Sequence, residues 1–289
     1  MGVYYFSSDH IYEHGKWESR NIFINDDKFT TTLSNLERAK EMNVEQLWIG
    51  PGKIYVDLEE PIIDQESYES AITKYIYRGC SLLICQLPIK SNFKFREMFI
   101  EFKEKLTSLS PIDFMIAPRI PASKLTIEQV KFFGREKVPF ILIDEPNEKK
   151  IKKVKWGWIQ QTQSFSKTPI KYTSDNLKPN FKVWNKICEK YKIDTFYEEV
   201  TKEPLSKEIL RITGISPHKG EFLHQGCADY NLFNLPSKPS IEEQSKFRYH
   251  KAIPVIAISN GNVIKSNNIV HSDVAKGVYT KVSIPRHFL

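Results

Sequence analysis

The sequence predicts an α/β protein in which helices cover a parallel β-sheet and the two ends of the chain form a small β-sandwich. Three observations support this fold class. Between residues 50 and 146, apolar strands and amphipathic helices alternate four times, which is typical of a parallel sheet buried on both faces. The first fifty residues and those after 228 instead alternate apolar and polar residues between turns. The length, 289 residues, suits one large domain or two unequal ones.

The N-terminal segment predicts short strands followed by one helix. Strands are predicted over residues 3–6, 10–17 and 21–32, with turns at Gly15 and at Asp26–Asp27. A helix is predicted over 33–43, because Leu33, Leu36 and Ala39 recur at helical spacing. We therefore assign residues 1–49, together with 228–289, to the discontinuous sandwich, and residues 50–227 to the βα region.

The βα region predicts four buried strands, over residues 53–58, 80–87, 112–118 and 138–144. Helices are predicted over 64–79, 95–109 and 126–137. Every strand ends in polar residues or proline, and the carboxyl ends of parallel strands form the ligand site in βα folds. The candidate site residues at this rim are Asp57, Glu59, Glu60, Gln86, Arg119, Asp144 and Glu145.

Two interpretations of these rim residues stay open. Asp57, Glu59 and Glu60 could raise one another's pKa and act as an acid/base pair, or one could face solvent while another caps the next helix. The guanidinium of Arg119 suits a carboxylate or amide ligand. Structural ion pairs at the rim are the alternative.

After Pro146 the alternation weakens. A fifth strand is predicted over 155–160, which would place the rings of Trp156 and Trp158 on one side of it as core packing or, alternatively, as a platform for a flat ligand. Helices are predicted over 181–191 and 205–214. Strands are predicted over 229–235, 253–267 and 277–285, the second containing an "SNGN" hairpin turn.

Composition excludes several classes of protein. No run of about eighteen apolar residues occurs, so no membrane-spanning helix is predicted, and "MGVYYFSSDH" lacks the regions of a secretory signal. The four cysteines contain no CxxC pair and are interpreted as reduced thiols of a cytoplasmic protein. Cys80 and Cys85 lie in an apolar strand and are interpreted as buried structural thiols, not nucleophiles.

The net charge of +7 does not by itself predict a nucleic-acid surface. Basic residues are spread along the chain, and the one dense run, "KKIKKVK" (149–155), is interrupted by Ile151 and Val154. We interpret this run as a solvated loop that leads into a strand. A nucleic-acid partner is therefore not favoured.

Several segments, in order, resemble the dihydroorotase and hydantoinase branch of the amidohydrolase superfamily. The hairpin "HGKW…RNIFINDDKF" is similar to the start of that family, "PGKIYVDLEEPIID" to its metal-binding segment after the first barrel strand, and "YRGCSLLICQLP" to its second strand. The most specific likeness is "TGISPHKGEFLHQGCADYNLF" (213–233), followed by "AISNGNVI" and "KGVYTKVSIP". The resemblance implies a TIM-like βα barrel with a composite β-sandwich.

The same resemblance implies a metal site that this sequence does not keep. Family members bind one or two divalent metals through two histidines after the first strand, a carboxylated lysine after the fourth, and further histidines and an aspartate. Here Glu59 and Pro61 occupy the first two positions and Ile141 the third, and no histidine occurs between His14 and His218. Histidine is the commonest ligand of catalytic transition metals, so we expect the zinc site to be lost, with no metal or other cofactor.

The barrel and the substrate site are expected to be reduced as well. Residues 50–214 span 165 positions, against about 250 for an eight-fold barrel, which predicts a truncated or incomplete barrel. Ile89 stands where dihydroorotases carry an asparagine. His218 and His224 are interpreted as surface residues.

The sequence therefore favours a catalytically inactive amidohydrolase homologue that acts by binding. Its ligand would be a small cyclic amide or carboxylate, or it would serve a partner protein as a regulatory subunit or scaffold, and the family implies a homo-oligomer. The alternative is an atypical hydrolase of a cyclic amide or another C–N bond that uses Asp57, Glu59 and Asp144 without metal.

Overall fold

Two β-sheets organise the chain in a computed structural model that describes residues 2–13, 15–32, 39–58, 61–64, 67–145, 147–173, 179–234, 247–273 and 276–282. The strands are β1 (Val3–Glu13), β2 (Lys16–Asn25), β3 (Lys28–Thr30), β4 (Lys40–Glu41), β5 (Leu47–Pro51), β6 (Lys53–Val56), β7 (Cys80–Pro88), β8 (Asp113–Pro121), β9 (Ile141–Asp144), β10 (Ile170–Tyr172), β11 (Tyr230–Asn234), β12 (Ile256–Ser259), β13 (Asn262–Ser266) and β14 (Ile269–Val270). The helices are α1 (Tyr68–Tyr77), α2 (Phe95–Leu109), α3 (Ile127–Arg135), α4 (Glu148–Lys153), α5 (Trp156–Gln163), α6 (Pro179–Tyr191) and α7 (Lys207–Ile212).

The parallel sheet consists of β6 to β10, side by side in chain order, and curls into a half-barrel. Its outer face packs against helices α1 to α6 in the largest hydrophobic cluster of the protein. The four predicted strands and the three helices between them are confirmed. They form because each strand supplies apolar side chains to both faces while each helix buries one apolar stripe.

The predicted fifth strand over 155–160 is wrong, because these residues begin helix α5. The buried side chains of α5 are Trp156, Ile159, Thr162 and Gln163, a helical spacing. Trp156 is therefore in the core while Trp158 faces outward, so the two rings do not share a side. The actual fifth strand is β10, whose central residue is Lys171.

The basic run is also helical, not a loop. Helix α4 covers Glu148–Lys153, and the side chain of Asn147 accepts hydrogen bonds from the backbone N–H groups of Lys149 and Lys150. This cap satisfies two otherwise unpaired helix donors. Ile151, which interrupts the lysines in the sequence, is the residue that α4 buries.

The inner face of the half-barrel is covered by the chain between residues 193 and 215. Phe196, Leu205, Ile209 and Leu210 pack there against the inward side chains of β6 to β9. The same segment contacts both edge strands: Leu205 N–H donates to Ile54 O at 2.8 Å, and Ile170 N–H donates to Asp194 O at 2.9 Å. This segment takes the place that further strands hold in a complete barrel.

The second sheet joins both ends of the chain in the order β14-β13-β12-β11-β5-β1-β2-β3, with β4 also paired to β1. The described strands of both chain ends form one connected sheet. The predicted β-sandwich, which would consist of two sheets packed face to face, is therefore not confirmed. In the predicted helix over 33–43, residues 33–38 lie outside the described part, whereas Lys40–Glu41 is a strand paired with Tyr4 and Tyr5. Over its described residues, 39–43, the predicted helix is therefore wrong.

The last predicted strand, over 277–285, lies elsewhere than expected. Phe114 N–H donates to Val278 O, and Thr280 N–H donates to Phe114 O. Residues 278–280 thus pair with the start of β8, in the parallel sheet. The short strand β9 joins β8 only from Arg119 onward, which leaves this edge of β8 available.

A buried ion cluster connects the two sheets. Lys219, fully buried, donates to Asp229 at 2.6 Å and lies 3.0 Å from Asp113, the first residue of β8. Asn260, in the turn between β12 and β13, contacts both Lys219 and Asp113. The "KG…AD" part of the most specific sequence likeness therefore connects the two sheets in this chain. We call this cluster of Lys219, Asp113, Asp229 and Asn260 the joint between the sheets.

The domain boundaries at 49/50 and 227/228 and the cytoplasmic location stay predictions. Within the described ranges, the longest and most apolar helices still fall short of what a bilayer crossing requires.

Candidate functional site at the carboxyl ends of the parallel strands

Four predicted site residues meet at the carboxyl ends of β6 to β9, and we call Asp57, Gln86, Arg119 and Asp144 the rim cluster. Side chains alternate along a strand. Gln86, Arg119 and Asp144 each lie two residues beyond an inward-facing core residue of β7, β8 and β9. They therefore form the polar layer immediately beyond the apolar interior of the half-barrel.

Asp57 is fully buried and its carboxylate is hydrogen-bonded by backbone. The N–H of Gln86 donates to Oδ1 at 2.6 Å, and the N–H of Ile62 donates to Oδ2 at 2.9 Å. Ile62 begins a short 3-10 helix, Ile62–Asp64. This geometry matches the capping interpretation of Asp57. Glu59 and Glu60, its proposed partners in an acid/base pair, lie outside the described residues.

Gln86, Arg119 and Asp144 form a chain of hydrogen bonds across neighbouring strands. Gln86 Nε2 donates to the carbonyl oxygens of Asp57 and Leu58, and its Oε1 accepts from Arg119 Nη1 at 3.1 Å. Arg119 Nε donates to Asp144 Oδ2 at 2.7 Å. The predicted ion pair of Arg119 is thus made with Asp144, and the network ties the ends of four strands together.

The rim cluster is partly open to solvent. The side chain of Asp144 is 31% exposed and that of Arg119 is 14% exposed. The guanidinium of Arg119 and the carboxylate of Asp144 therefore lie side by side at a partly exposed surface.

Glu145 does not join the rim cluster through its described contacts. Its Oε2 accepts from Ser123 Oγ at 2.5 Å, its carbonyl accepts from Tyr172 OH, and Lys150 lies 3.9 Å away. Glu145 is the first residue after β9, and its described side-chain partners, Ser123 and Lys150, lie outside the rim cluster. Glu145 therefore supports the α4 connection.

Two of the three metal positions compared above carry side chains without a ligand atom, and the third, Glu59, lies outside the described residues. Ile141 is fully buried in the apolar outer cluster, and the side chain of Pro61 has no ligand atom. Both carboxylate oxygens of Asp57 already accept backbone hydrogen bonds. Throughout the described ranges, no three His, Cys, Asp or Glu side chains are grouped so that they could hold a metal.

The position expected to contact substrate is apolar as well. Ile89 is 1% exposed and packs in the outer cluster. It has neither the donor nor the acceptor that an asparagine would supply. The family's substrate contact at this position therefore cannot be made by the Ile89 side chain.

The cysteines and histidines give mixed outcomes. Cys80 and Cys85 are buried as predicted, and burial raises the pKa of the Cys80 thiol to about 12, so it stays protonated and unreactive.

His224 is exposed as predicted. His218 is half-buried, with Nε2 3.7 Å from Cys227 Sγ, which corrects its interpretation as a surface residue. Burial, with Lys219 and Lys28 nearby, lowers the pKa of His218.

Sequence reasoning missed two buried lysines in the parallel strands. Lys171, on β10, donates to Phe196 O at 3.1 Å, and burial lowers its pKa to about 8. Lys53, on β6, donates to Ala252 O at 2.6 Å, and burial together with nearby Arg78 lowers its pKa to about 7. A lone lysine between apolar strand residues, as in "GKIYV" and "IKY", is the sequence signal for both.

A cleft of about 480 Å³ lies near Lys53, at the amino end of β6. Tyr249 and His250 line it together with Lys53 and Ile54. The Lys53 Nζ is 5.1 Å from the centre of the Tyr249 ring. The described contacts of Lys53 therefore tie the segment around Tyr249 to the parallel sheet.

Comparison with known proteins connects this fold to solved structures at low sequence identity. No protein-family model and no curated protein matches the sequence. A dihydropyrimidinase from Brevibacillus agri NCHU1002 is similar with a TM-score of 0.60 at 9% identity, covering 97% of this chain and 99% of that chain. A D-hydantoinase (dihydropyrimidinase) from Thermus sp. has a TM-score of 0.61 at 9% identity, covering 99% and 100%. A beta-aspartyl dipeptidase from Fervidobacterium islandicum AW-1 has a TM-score of 0.56 at 11% identity, covering 93% and 98%. The predicted likeness to hydantoinase-like proteins is confirmed at the level of the fold.

Proposed function

We propose that this chain, which has the fold of hydantoinase-like members of the amidohydrolase superfamily, binds a small cyclic amide or carboxylate at the rim cluster without hydrolysing it. The observation that carries the proposal is the hydrogen-bonded chain from Asp57 through Gln86 and Arg119 to Asp144. It lies at the strand ends where the family binds its metal. Two of the solved structures named above are, by their names, a dihydropyrimidinase and a D-hydantoinase, which suggests the chemical class of the ligand.

Two features support binding over hydrolysis. Hydrolysis of an amide near neutral pH needs an activated water, which a metal or a free general base supplies. Asp57 and Asp144 are both held by hydrogen bonds from protein groups. The family's metal positions carry Glu59, Pro61 and Ile141, of which only Glu59 has a ligand atom in its side chain. Arg119 and Asp144 together still present the donor and acceptor that a cyclic amide requires.

The experiment pairs binding with turnover on the same purified protein. Hydantoin, dihydrouracil and dihydroorotate serve as probes in isothermal titration calorimetry, and ring opening is followed by loss of ultraviolet absorbance, with and without added Zn²⁺. We expect binding of at least one probe, no turnover, and loss of binding in Arg119→Gln. An absence of binding to every probe would overturn the proposal. So would turnover at a rate above the uncatalysed reaction.

The alternative, a metal-independent C–N hydrolase, would use Asp57, Glu59 and Asp144 as acid and base. Asp144→Asn is the variant that tests it. If the unmodified protein hydrolyses a probe and Asp144→Asn does not, the alternative replaces the binding proposal. The described contacts of Asp57 and Asp144 do not favour this outcome.

A further inference from the structure

A groove of about 540 Å³ lies on the outer surface of the half-barrel, between the start of α3 and the α4–α5 connection. Its apolar lining includes Leu125, Ile127, Ile159 and Trp158. Lys153 and Lys155 also line it. The groove is separate in composition from the rim cluster, since none of the four rim residues lines it.

Trp158 is the unusual member of this lining. Its side chain is 60% exposed, whereas Trp156, two residues earlier, is 1% exposed in the core beside Trp184. Ile127, at the start of α3, is also exposed. Large apolar side chains exposed beside an apolar concavity mark interaction sites, and tryptophan is enriched among residues that dominate binding energy.

Positive charge is concentrated beside the groove. Five lysines and one glutamate lie between residues 147 and 158, a net charge of +4. Lys152 pairs with Glu148. Within the part of the chain that the structure describes, Lys153 and Lys155 are exposed and have no carboxylate within ion-pair distance. Charge complementarity therefore selects an acidic occupant.

The shape of the groove further restricts the class of partner that it can bind. A concave apolar lining takes an inserted apolar side chain, as when a peptide places an anchor residue into a pocket. Single-stranded nucleic acid is bound instead on flat aromatic surfaces along a basic track, and here one indole stands beside aliphatic side chains. A second copy of this chain is disfavoured because each copy carries a net charge of +7.

We propose that this groove docks an acidic segment of a partner protein, with one aromatic or aliphatic side chain inserted beside Trp158 and acidic residues facing Lys153 and Lys155. The inference goes beyond the function proposed above and does not depend on the rim cluster. It gives the predicted protein partner a location and a chemistry.

The test is a displayed random-peptide library selected on the full-length protein, with a Trp158→Ala/Lys153→Glu/Lys155→Glu variant for counter-selection. We expect enriched peptides to carry acidic residues around one large apolar residue. A synthetic peptide of the enriched sequence is then titrated while tryptophan fluorescence is recorded. A blue shift is expected, because Trp158 would leave water on binding.

Two sets of variants test the apolar contact at Trp158 and the charge contact at the lysines separately. Trp158→Ala should weaken the peptide at least about 30-fold, the change expected for an interface hot spot. Lys153→Glu/Lys155→Glu should weaken it roughly tenfold or more at low salt and less at high salt. Lys16→Glu/Lys40→Glu, which makes the same charge change on exposed residues of the other sheet, should leave affinity within about threefold.

Several outcomes would overturn the proposal. These are failure of the selection, enriched peptides without acidic residues, and equal binding by the triple variant and the unmodified protein. Tighter binding of a poly-dT oligonucleotide at the same lysines would assign the surface to nucleic acid, and Trp158-dependent self-association in light scattering would assign it to a second copy. Arg119→Gln should bind the peptide normally, so failure of the ligand proposal is distinguishable from failure of this one.

Discussion

Replacing Lys219 with methionine tests whether the most specific sequence likeness is a structural joint. The change removes the ammonium that lies 2.6 Å from Asp229 and 3.0 Å from Asp113. It leaves two carboxylates, each at most 4% exposed, without their shared cation. Methionine keeps most of the side-chain volume, so the effect isolates the charge.

The expected loss of stability depends on the hydrogen bonds that the two carboxylates keep in the variant. Breaking a buried ion pair from one side costs about 3–5 kcal/mol. Asp113 retains the Val278 N–H and the Asn260 amide, and Asp229 retains the Asn260 N–H. These remaining donors place the expected loss in the lower half of that range, about 3–4 kcal/mol. A loss of this size is a large fraction of the stability of a typical domain.

Urea unfolding followed by circular dichroism and tryptophan fluorescence measures the loss. Lys207→Met is the matched control, because Lys207 is 32% exposed and lies 3.8 Å from Glu221, which also pairs with Arg211. It should cost less than about 1 kcal/mol. A loss below about 1 kcal/mol for Lys219→Met would refute the assignment of the ion cluster as the joint between the sheets.

The same joint predicts an acid dependence. Burial opposes ionisation of Asp113, but Lys219, Asn260 and the Val278 N–H outweigh it and hold its pKa below the ordinary value. The folded state therefore binds this proton less readily than the unfolded state. The stabilisation is complete above the ordinary aspartate pKa and is lost as pH falls through the lowered value. We expect Asp113→Asn to flatten this part of the stability–pH curve.

The remaining predictions concern the buried lysine of β6, the covered barrel interior and the rim. Lys53 has its pKa lowered to about 7 in the folded protein from 10.5, so the unfolding free energy should rise by up to about 1.4 kcal/mol per pH unit between these values. Lys53→Met should remove this contribution and so reduce the slope, and an unchanged slope in urea titrations would contradict the burial of a neutral amine. Phe196→Ala should cost about 3–4 kcal/mol and increase binding of the dye ANS, whereas a loss under about 1 kcal/mol would mean that the segment does not fill the half-barrel. Arg119→Gln should cost only about 1 kcal/mol, because Asp144 is 31% exposed; a loss above about 3 kcal/mol would make the rim cluster mainly structural.

The sequence predicted most of the parallel sheet because its pattern is local. Apolar strands and amphipathic helices each bury their own faces, so strand–helix alternation is visible in the residues themselves. Strand β10 was missed because it is three residues long and has a lysine at its centre. The "WGW" segment was mistaken for a strand because two tryptophans at alternate positions fit a period of two, and only the burial of Ile159 and Gln163 reveals the helix.

The membership of the rim cluster could be predicted, but its bonding could not. Parallel strands end at one edge, so Gln86, Arg119 and Asp144 were placed together from strand ends alone. Which of them pair depends on strand register and on which face each side chain takes. The Lys219 cluster combines residues far apart in the chain, from Asp113 to Asn260, and no local pattern connects them.

The metal content of the purified protein tests the central claim most directly. The protein would be incubated with excess Zn²⁺, dialysed, and analysed by inductively coupled plasma mass spectrometry beside a hydantoinase treated in the same way. We expect zinc far below one ion per chain, because the family's metal positions carry Glu59, Pro61 and Ile141, of which only Glu59 has a ligand atom in its side chain. Stoichiometric zinc that survives dialysis, together with ring opening of hydantoin, would contradict the claim.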